Sequence, residues 1–391
     1  MRLLAIIHGP VYGGAHAQLI RLREPLARRG FETIVLVPEG GTGEERLRLA
    51  GMEVVTAPLH RLRATPDPRV QFPFLASFPR ELRRVRRLLR ELEIDVVQVH
   101  GPTNPLGAVA AHREGIAVVW QIYDTVAPMW LRRLTMPMVV RLADAITTWG
   151  LELGRAHPGT LGLGERHVVV YPPVDTDVFA PARERRASAR EELGIPDGAT
   201  VVGTVGNLNP SKGHEYLIRA AELVRRSRDD VCFRIMGAHS PPHAEYEEGL
   251  HREARERGLD GAIEILDPGT RVAELLPALD VFAVTSVPHS EGIPTVILEA
   301  MASGIPPVVT RVGAIDELVD DGVNGILLPP EQPETTARAI LELLEDPALR
   351  ERLGAAGRAT AVERYGLEGL ADRHAHAYEL ALAHRRGRGG R

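Results

Sequence analysis

Two carboxylates and one ammonium group carry the most legible chemistry in this chain. The segment Ser290-Glu291-Gly292-Ile293-Pro294-Thr295-Val296-Ile297-Leu298-Glu299 runs from a Gly/Pro loop into a helix that the pattern starts near Thr295. Exposed amides at such a start form an anion site. Glu299 lies about one turn inside, and helical Cα–Cβ bonds lean toward the N-terminus. Its carboxylate therefore returns toward the end that Glu291 occupies. Two carboxylates beside an anion-binding helix end suit a ligand bearing both phosphates and vicinal hydroxyls. The same pattern fits a glutamate that merely offsets the helix dipole, and taken alone the segment leaves both readings open.

Lys212 shifts the balance. Of the 47 basic residues it is the one lysine, all others being arginine. It lies in Val202-Gly203-Thr204-Val205-Gly206-Asn207-Leu208-Asn209-Pro210-Ser211-Lys212-Gly213-His214, a strand, a Gly-containing loop and a helix start. The Walker order Gly-x4-Gly-Lys-Ser/Thr is absent. A cation in a first helical turn opposes the dipole, so an anion that it serves explains the placement better than chance does. An ammonium is a compact point charge that a guanidinium does not replace.

These residues need elements to position them. In the first half, Val/Ile-rich runs predict strands at 3–8, 33–38, 53–57, 95–100, 117–122, 145–149 and 167–171, alternating with helices near 16–30, 77–93, 105–114 and 131–143. Continuous apolar runs suit strands buried on both faces of a parallel sheet. A Pro- and Arg-rich connector follows, from Tyr171-Pro172-Pro173 and on through Pro181 to Pro196. Strands then recur at 200–206, 231–237, 262–266, 280–284, 307–310 and 325–328, with helices near 212–228, 242–258, 295–303, 332–346 and 348–384. The expected fold class is α/β, two Rossmann-like doubly wound domains facing a central cleft. Ligands of such sheets bind beyond the carboxyl ends of the strands.

Size and composition agree. At 391 residues the chain exceeds a single core of ~250–300 residues. Hydrophobic residues at 44% and charged residues at 25% exclude a disordered chain. The one cysteine, Cys232, excludes an internal disulfide and a Cys-rich metal site, and reads as a buried strand position. No apolar run reaches the ~18–20 residues of a membrane span. Met1-Arg2-Leu3-Leu4-Ala5-Ile6-Ile7 reads as the first strand of a cytosolic protein. The net charge of −5 argues against a nucleic-acid partner, yet it divides into +5 over residues 1–175 and −10 over the remainder.

With these motifs in view, the C-terminal half resembles family 4 of the retaining glycosyltransferases, the group 1 glycosyltransferases of GT-B architecture. The resemblance covers Gly203–Gly213, Glu291–Ala302, Gly313–Leu328 and the connector Val174-Asp175-Thr176-Asp177-Val178-Phe179. It extends more loosely to Gly13-Gly14-Ala15 and to the strand ending at His100. It implies an N-terminal acceptor domain over 1–172, joined by a crossover helix at about 367–384, and a donor domain over 173–366; residues 385–391 are expected to be a disordered tail. It further implies transfer of a sugar from a UDP-, GDP- or other nucleotide-diphosphate sugar to a hydroxyl of a small molecule, glycan or lipid-linked acceptor. No cofactor is obligatory. Lys212 would hold the diphosphate with Gly206 and Asn207, Glu291 the sugar hydroxyls and Glu299 the ribose. The backbone at Gly292, Ile293, Pro294, Thr295 and Val296 would cradle phosphate or sugar, while Gly13 and Gly14 would admit the donor to the first loop. His100 matches a histidine common in the family.

Two positions depart from the family. Asn207 stands where an arginine usually follows the glycine, and Tyr123-Asp124 stands where a histidine precedes the aspartate. Asp124 or His100 would then orient the acceptor. A nucleotide-sugar epimerase, or a binding protein without chemistry, are the competing functions. Asp175-Thr176-Asp177 imitates a metal-binding Asp-x-Asp but fits a turn better. His374 and His376, two apart on a helix, do not share a face. His239, His243 and His251 lack a carboxylate at a recognisable spacing, so no metal site is expected. In Arg80–Arg90, Leu82, Val85 and Leu89 form a core stripe; the arginines opposite offer a contact to an anionic membrane surface.

Overall fold

The computed structural model describes residues 1–60, 62, 68–124, 127–239, 241–288 and 293–389. Glu291 and Gly292 lie outside the described residues. The chain divides into two compact units, Met1–Tyr171 with Leu367–Arg391, and Pro172–Gly366.

The first unit is a seven-stranded parallel sheet of β1 (Arg2–Ile6), β2 (Glu32–Val37), β3 (Glu53–Thr56), β4 (Val96–His100), β5 (Ala117–Ile122), β6 (Ala145–Trp149) and β7 (His167–Val170). The order is β3-β2-β1-β4-β5-β6-β7. The central strands are apolar on both faces because both are covered. Helices Pro68–Glu91, Leu106–Glu114 and Met129–Leu142 press Leu82, Val85, Leu89, Ala108 and Met136 against Leu4, Ile6, Val97 and Trp120. On the other face, Leu22 and Leu26 of Gly14–Arg28 join Leu370, Ala371, Tyr378 and Ala381 of the C-terminal helix Leu367–Gly389 over Leu3, Val96, Val119 and Val168.

That helix corrects the expectation of a disordered tail, because residues 385–389 are helical. Asp144 provides the reason. Fully buried beside β6, its carboxylate accepts from the Val118 amide at 3.0 Å and from Arg385 at 2.6 and 3.0 Å, with His384 Nδ1 at 2.9 Å. A buried carboxylate demands such partners.

The second unit is a six-stranded parallel sheet of β8 (Thr200–Val205), β9 (Val231–Met236), β10 (Ile263–Leu266), β11 (Val281–Val284), β12 (Pro307–Thr310) and β13 (Ile326–Leu328). Its order is β10-β9-β8-β11-β12-β13. Helices His214–Ser227 and Pro333–Glu345 supply Leu217, Ile218, Val224, Ile340 and Leu343 to a core with Val202, Phe233 and Val281.

The thirteen strands fall within a residue or two of the expected positions, but helix starts differ. Pro68–Glu91 begins nine residues ahead of the expected 77, its first turns disguised by Pro73 and Pro79. The connector contains a helix, Arg183–Glu192, whose one buried position is Ala189; with no apolar period, nothing in the pattern announces it. Arg186 anchors it to the Pro277 and Leu279 carbonyls and to Asp280. Helix Thr42–Leu49 is hidden for the same reason, with Gly43 and Leu47 alone buried.

Candidate functional site

Each sheet reverses its strand order once, between β8 and β11 in the second unit and between β1 and β4 in the first. At such switch points the loops diverge to opposite faces and leave a crevice at the strand ends. Of the residues assigned to the donor and acceptor, Gly13, Gly14, His100, Gly206, Asn207, Lys212, Ile293–Val296 and Glu299 lie at strand ends, on loops or in the first turns of helices beside these two points, and Asp124 does not.

At the β8/β11 point the two loops are clamped together. Asn209 Oδ1 accepts from the Ser211 amide at 3.0 Å and so caps the tight turn Pro210–Lys212 that presents the lysine. The Val287 amide donates to the Ser211 carbonyl at 3.1 Å, and Thr285 Oγ1 donates to the Gly213 carbonyl at 2.9 Å. Gly213 has φ +60°, and a Cβ there would lie 2.3 Å from the Thr285 carbonyl oxygen, so both the backbone and the neighbouring loop require glycine. Gly237, at the end of β9, is required for another reason: its Cβ would lie 2.3 Å from the Gly206 carbonyl oxygen.

The helix after β11 starts at Thr295, as expected, and Pro294 is its extended N-cap residue. Pro294 is buried, Ile293 and Val296 are half-buried, and Thr295 is exposed. Glu299 is half-buried, and burial raises its pKa above the ordinary carboxylate value, while a hydrogen bond from Thr295 opposes the shift. That bond brings the carboxylate back to the helix start. Lys212 is half-buried, and Asn207 is exposed.

The β1/β4 point is built from side chains. His100 ends β4, and its ring stands edge-on to Tyr123 with centroids 6.4 Å apart. Burial, and secondarily the charge of His16, pushes His100 down to about 4, so its imidazole is neutral near pH 7. Gln98 Nε2 lies 3.2 Å from His100 Nε2, and the Gln98 oxygen accepts from the Tyr378 hydroxyl. His374, from the C-terminal helix, completes the group. Its Nε2 lies 3.3 Å from the Gln18 amide nitrogen and 3.4 Å from the Tyr123 hydroxyl, and its Nδ1 lies 3.3 Å from Gln121. Burial, then His100, pushes His374 down to about 3. His376, two residues on, is exposed; the sequence names His100, Tyr123 and His374 singly and does not reveal the network that joins them.

Gly13 and Gly14 are exposed at the start of Gly14–Arg28, and nothing closer than 4.0 Å faces either missing Cβ. Asp124 is exposed beyond the end of β5, two residues after the strand. Asp175 Oδ1 accepts from the Asp177 and Val178 amides at 3.1 Å each, a turn geometry that occupies the Asp-x-Asp imitation. His239 does have a carboxylate, Glu247 at 2.6 Å, eight residues on and across the start of Ala244–Glu256; that pairing corrects the sequence reading. Among the described residues no helix is long and apolar enough to cross a membrane.

Known proteins match this chain in sequence and in fold. Residues 185–360 match the family model described as "Glycosyl transferases group 1", and residues 12–178 match "Glycosyltransferase Family 4". A D-inositol 3-phosphate glycosyltransferase of Corynebacterium aurimucosum is 30% identical over 88% of this chain and 86% of its own length. Among solved structures, HepE of Anabaena in complex with UDP superimposes with TM-score 0.75 at 22% identity over 96% of this chain and 98% of its own. A glycosyltransferase of Rickettsia africae gives 0.78 at 16% identity over 97% and 98%. The chain belongs to the group 1 glycosyltransferases of GT-B fold, and it is a glycosyltransferase.

Proposed function

We propose that this enzyme transfers a sugar from a nucleoside-diphosphate donor to an acceptor hydroxyl with retention of anomeric configuration. The clamped loop pair at the β8/β11 point carries the reading, since it sets the sole lysine of the chain beside the loop that leads to Glu299. Lys212 would neutralise the diphosphate, the amides around Ile293–Val296 would cradle phosphate or sugar, and Glu299 would accept from the ribose hydroxyls. Glu291 is assigned to the sugar hydroxyls from its motif. The complex of HepE with UDP makes UDP the first nucleotide to try; the name of the corynebacterial relative makes inositol 3-phosphate the first acceptor.

In the reaction, the bond from the anomeric carbon to the leaving phosphate oxygen breaks and a bond to the acceptor oxygen forms on the same face. The acceptor proton passes to the leaving phosphate. The chemistry of His100 supports this route, because an imidazole with a pKa of about 4 is a poor base at neutral pH. His100 and Asp124 then serve to orient the acceptor. Stabilisation of the departing diphosphate rests on Lys212 and main-chain amides, without an obligatory metal. The arginines Arg80, Arg83, Arg84, Arg87 and Arg90 are exposed, which supports a contact of that helix with an anionic membrane surface.

The test is incubation of the purified chain with UDP- and GDP-sugars, with and without inositol 3-phosphate and a panel of sugar acceptors, and NMR of the product. Retained configuration at the anomeric carbon supports the reading. An inverted anomer, or a glycosyl adduct on a carboxylate seen by intact mass spectrometry, overturns the mechanism. An epimerised nucleotide-sugar, or binding without turnover, overturns the function.

A further inference from the structure

One buried side chain beside Lys212 is unused by the donor reading. His214 opens the helix His214–Ser227 and is 2% exposed. Its Nε2 lies 3.2 Å from the Asn207 carbonyl oxygen. A carbonyl only accepts, so Nε2 carries the hydrogen and Nδ1 is left with a lone pair. Nδ1 is buried and, among the described residues, has no hydrogen-bond partner. The ring therefore bonds to the Gly206–Asn207 loop and not to the core.

The surroundings hold the ring where it is. The main-chain amide of His214 donates to the Tyr246 hydroxyl at 3.1 Å, and that hydroxyl donates to the Glu215 carboxylate. A Cβ built on Gly206 would sit 3.6 Å from Cγ and Cδ of Lys212 and 3.8 Å from Cε1 of His214. The lysine stem and the imidazole thus both face the same side of Gly206. Burial pushes His214 down to about 4, against the Asn207 carbonyl and together with the charge of Lys212. The ring is neutral at pH 7 and adds no charge to the loop.

We propose that His214 is a positioning residue for the diphosphate: its Nε2–H fixes the Asn207 carbonyl, and its ring seats the stem of Lys212. This rests on the reading of the loop as a diphosphate site. It deepens that reading by making affinity depend on the loop's shape as well as on the lysine's charge.

The experiment is calorimetric titration of the full chain with UDP and UMP, with GDP and GMP in parallel, alongside thermal unfolding. His214→Phe keeps the ring's volume and removes both nitrogens. It is expected to leave the unfolding temperature equal or higher, since no lone pair is buried, and yet to weaken UDP by about tenfold, the scale of one lost hydrogen bond. UMP affinity should stay within about twofold, because the loss belongs to the diphosphate. His214→Gln, whose amide nitrogen reaches as far as Nε2, should restore UDP to within about threefold of the wild type. Equal losses for UDP and UMP, or a glutamine variant no better than phenylalanine, overturn the inference. If Lys212→Ala still weakens UDP in that case, the donor reading stands alone. If Lys212→Ala has no effect, or the wild type binds none of the nucleotides, reading and inference fall together.

Discussion

The two switch points share a topology and differ in material. Around β8 and β11 the proposed donor surface is main chain, drawn tight by Asn209, Thr285 and two glycines that tolerate no Cβ, with Lys212 as its cation. Around β1 and β4 it is a layer of side chains, His100, Gln98, Gln121, Tyr123 and His374, the imidazoles held neutral by burial. A main-chain cradle with a point charge suits phosphate, whose shape is constant. A neutral side-chain layer suits hydroxyls, whose arrangement varies among acceptors. The difference also divides sensitivity: the first unit depends on protonation, the second on local backbone geometry.

Acid should break the comparison most visibly. Among the described residues, six histidines of the first unit have lowered pKa values, and one of the second unit, His214, does. For each, the unfolded chain takes up a proton near pH 6.5 that the folded state refuses until lower pH, about 4 for His100 and about 3 for His374. Their stability contribution is therefore full above pH 6.5 and is lost as the pH falls below it. All three tryptophans, Trp120, Trp130 and Trp149, lie in the first unit. On acidification their fluorescence should change at higher pH than the far-ultraviolet circular dichroism; coincident transitions would contradict the division.

Next in size is the Asp144 latch. Ending the chain at Ala383 removes His384 and Arg385 and leaves a buried carboxylate with a main-chain amide alone, a loss of about 3–5 kcal/mol. Chemical denaturation should locate that loss in the tryptophan signal. Lys212→Ala tests the other side, with a loss of about 2–4 kcal/mol in kcat/KM and an unaltered unfolding temperature. Lys212→Arg should recover part of it. Smaller again, Glu299→Gln should weaken UDP by about 1 kcal/mol in calorimetry, with no change in product configuration. The smallest expected effect is none: exhaustive EDTA treatment should leave turnover within error, and loss restored by manganese would count against the proposed role of Lys212 at the diphosphate.

The strands were legible because their runs are apolar on both faces and short, as parallel strands must be. Lys212 stood out against an all-arginine background, and the bend of Glu299 toward Thr295 follows from helix geometry alone. The network around His374 was invisible for a physical reason. Its partners Gln18, Gln121 and Tyr123 lie 356, 253 and 251 residues away, so no local spacing records them. Gly237 looked like any glycine after a strand until the Gly206 carbonyl was placed against it. The helix Arg183–Glu192 is held by arginine bonds to carbonyls, an interaction that leaves no hydrophobic period. Glu291 carries a clear motif but no described geometry, and its role stays with the motif.

The return of Leu367–Gly389 to the first sheet has a consequence for synthesis. A ribosome delivers β1 to β7 first, yet the apolar face formed by Leu3, Val96, Val119 and Val168 is covered in part by Leu370, Tyr378 and Ala381, which emerge after the entire second unit. The nascent first sheet must wait with one face partly bare while Pro172–Gly366, contiguous in the chain, acquires its own core. Domains fold as units and usually in order of emergence; here the later unit is positioned to finish before the earlier one. Exposed strands of that kind are a substrate for chaperones that hold apolar surface, and the waiting period lengthens with every residue inserted between Tyr171 and Leu367.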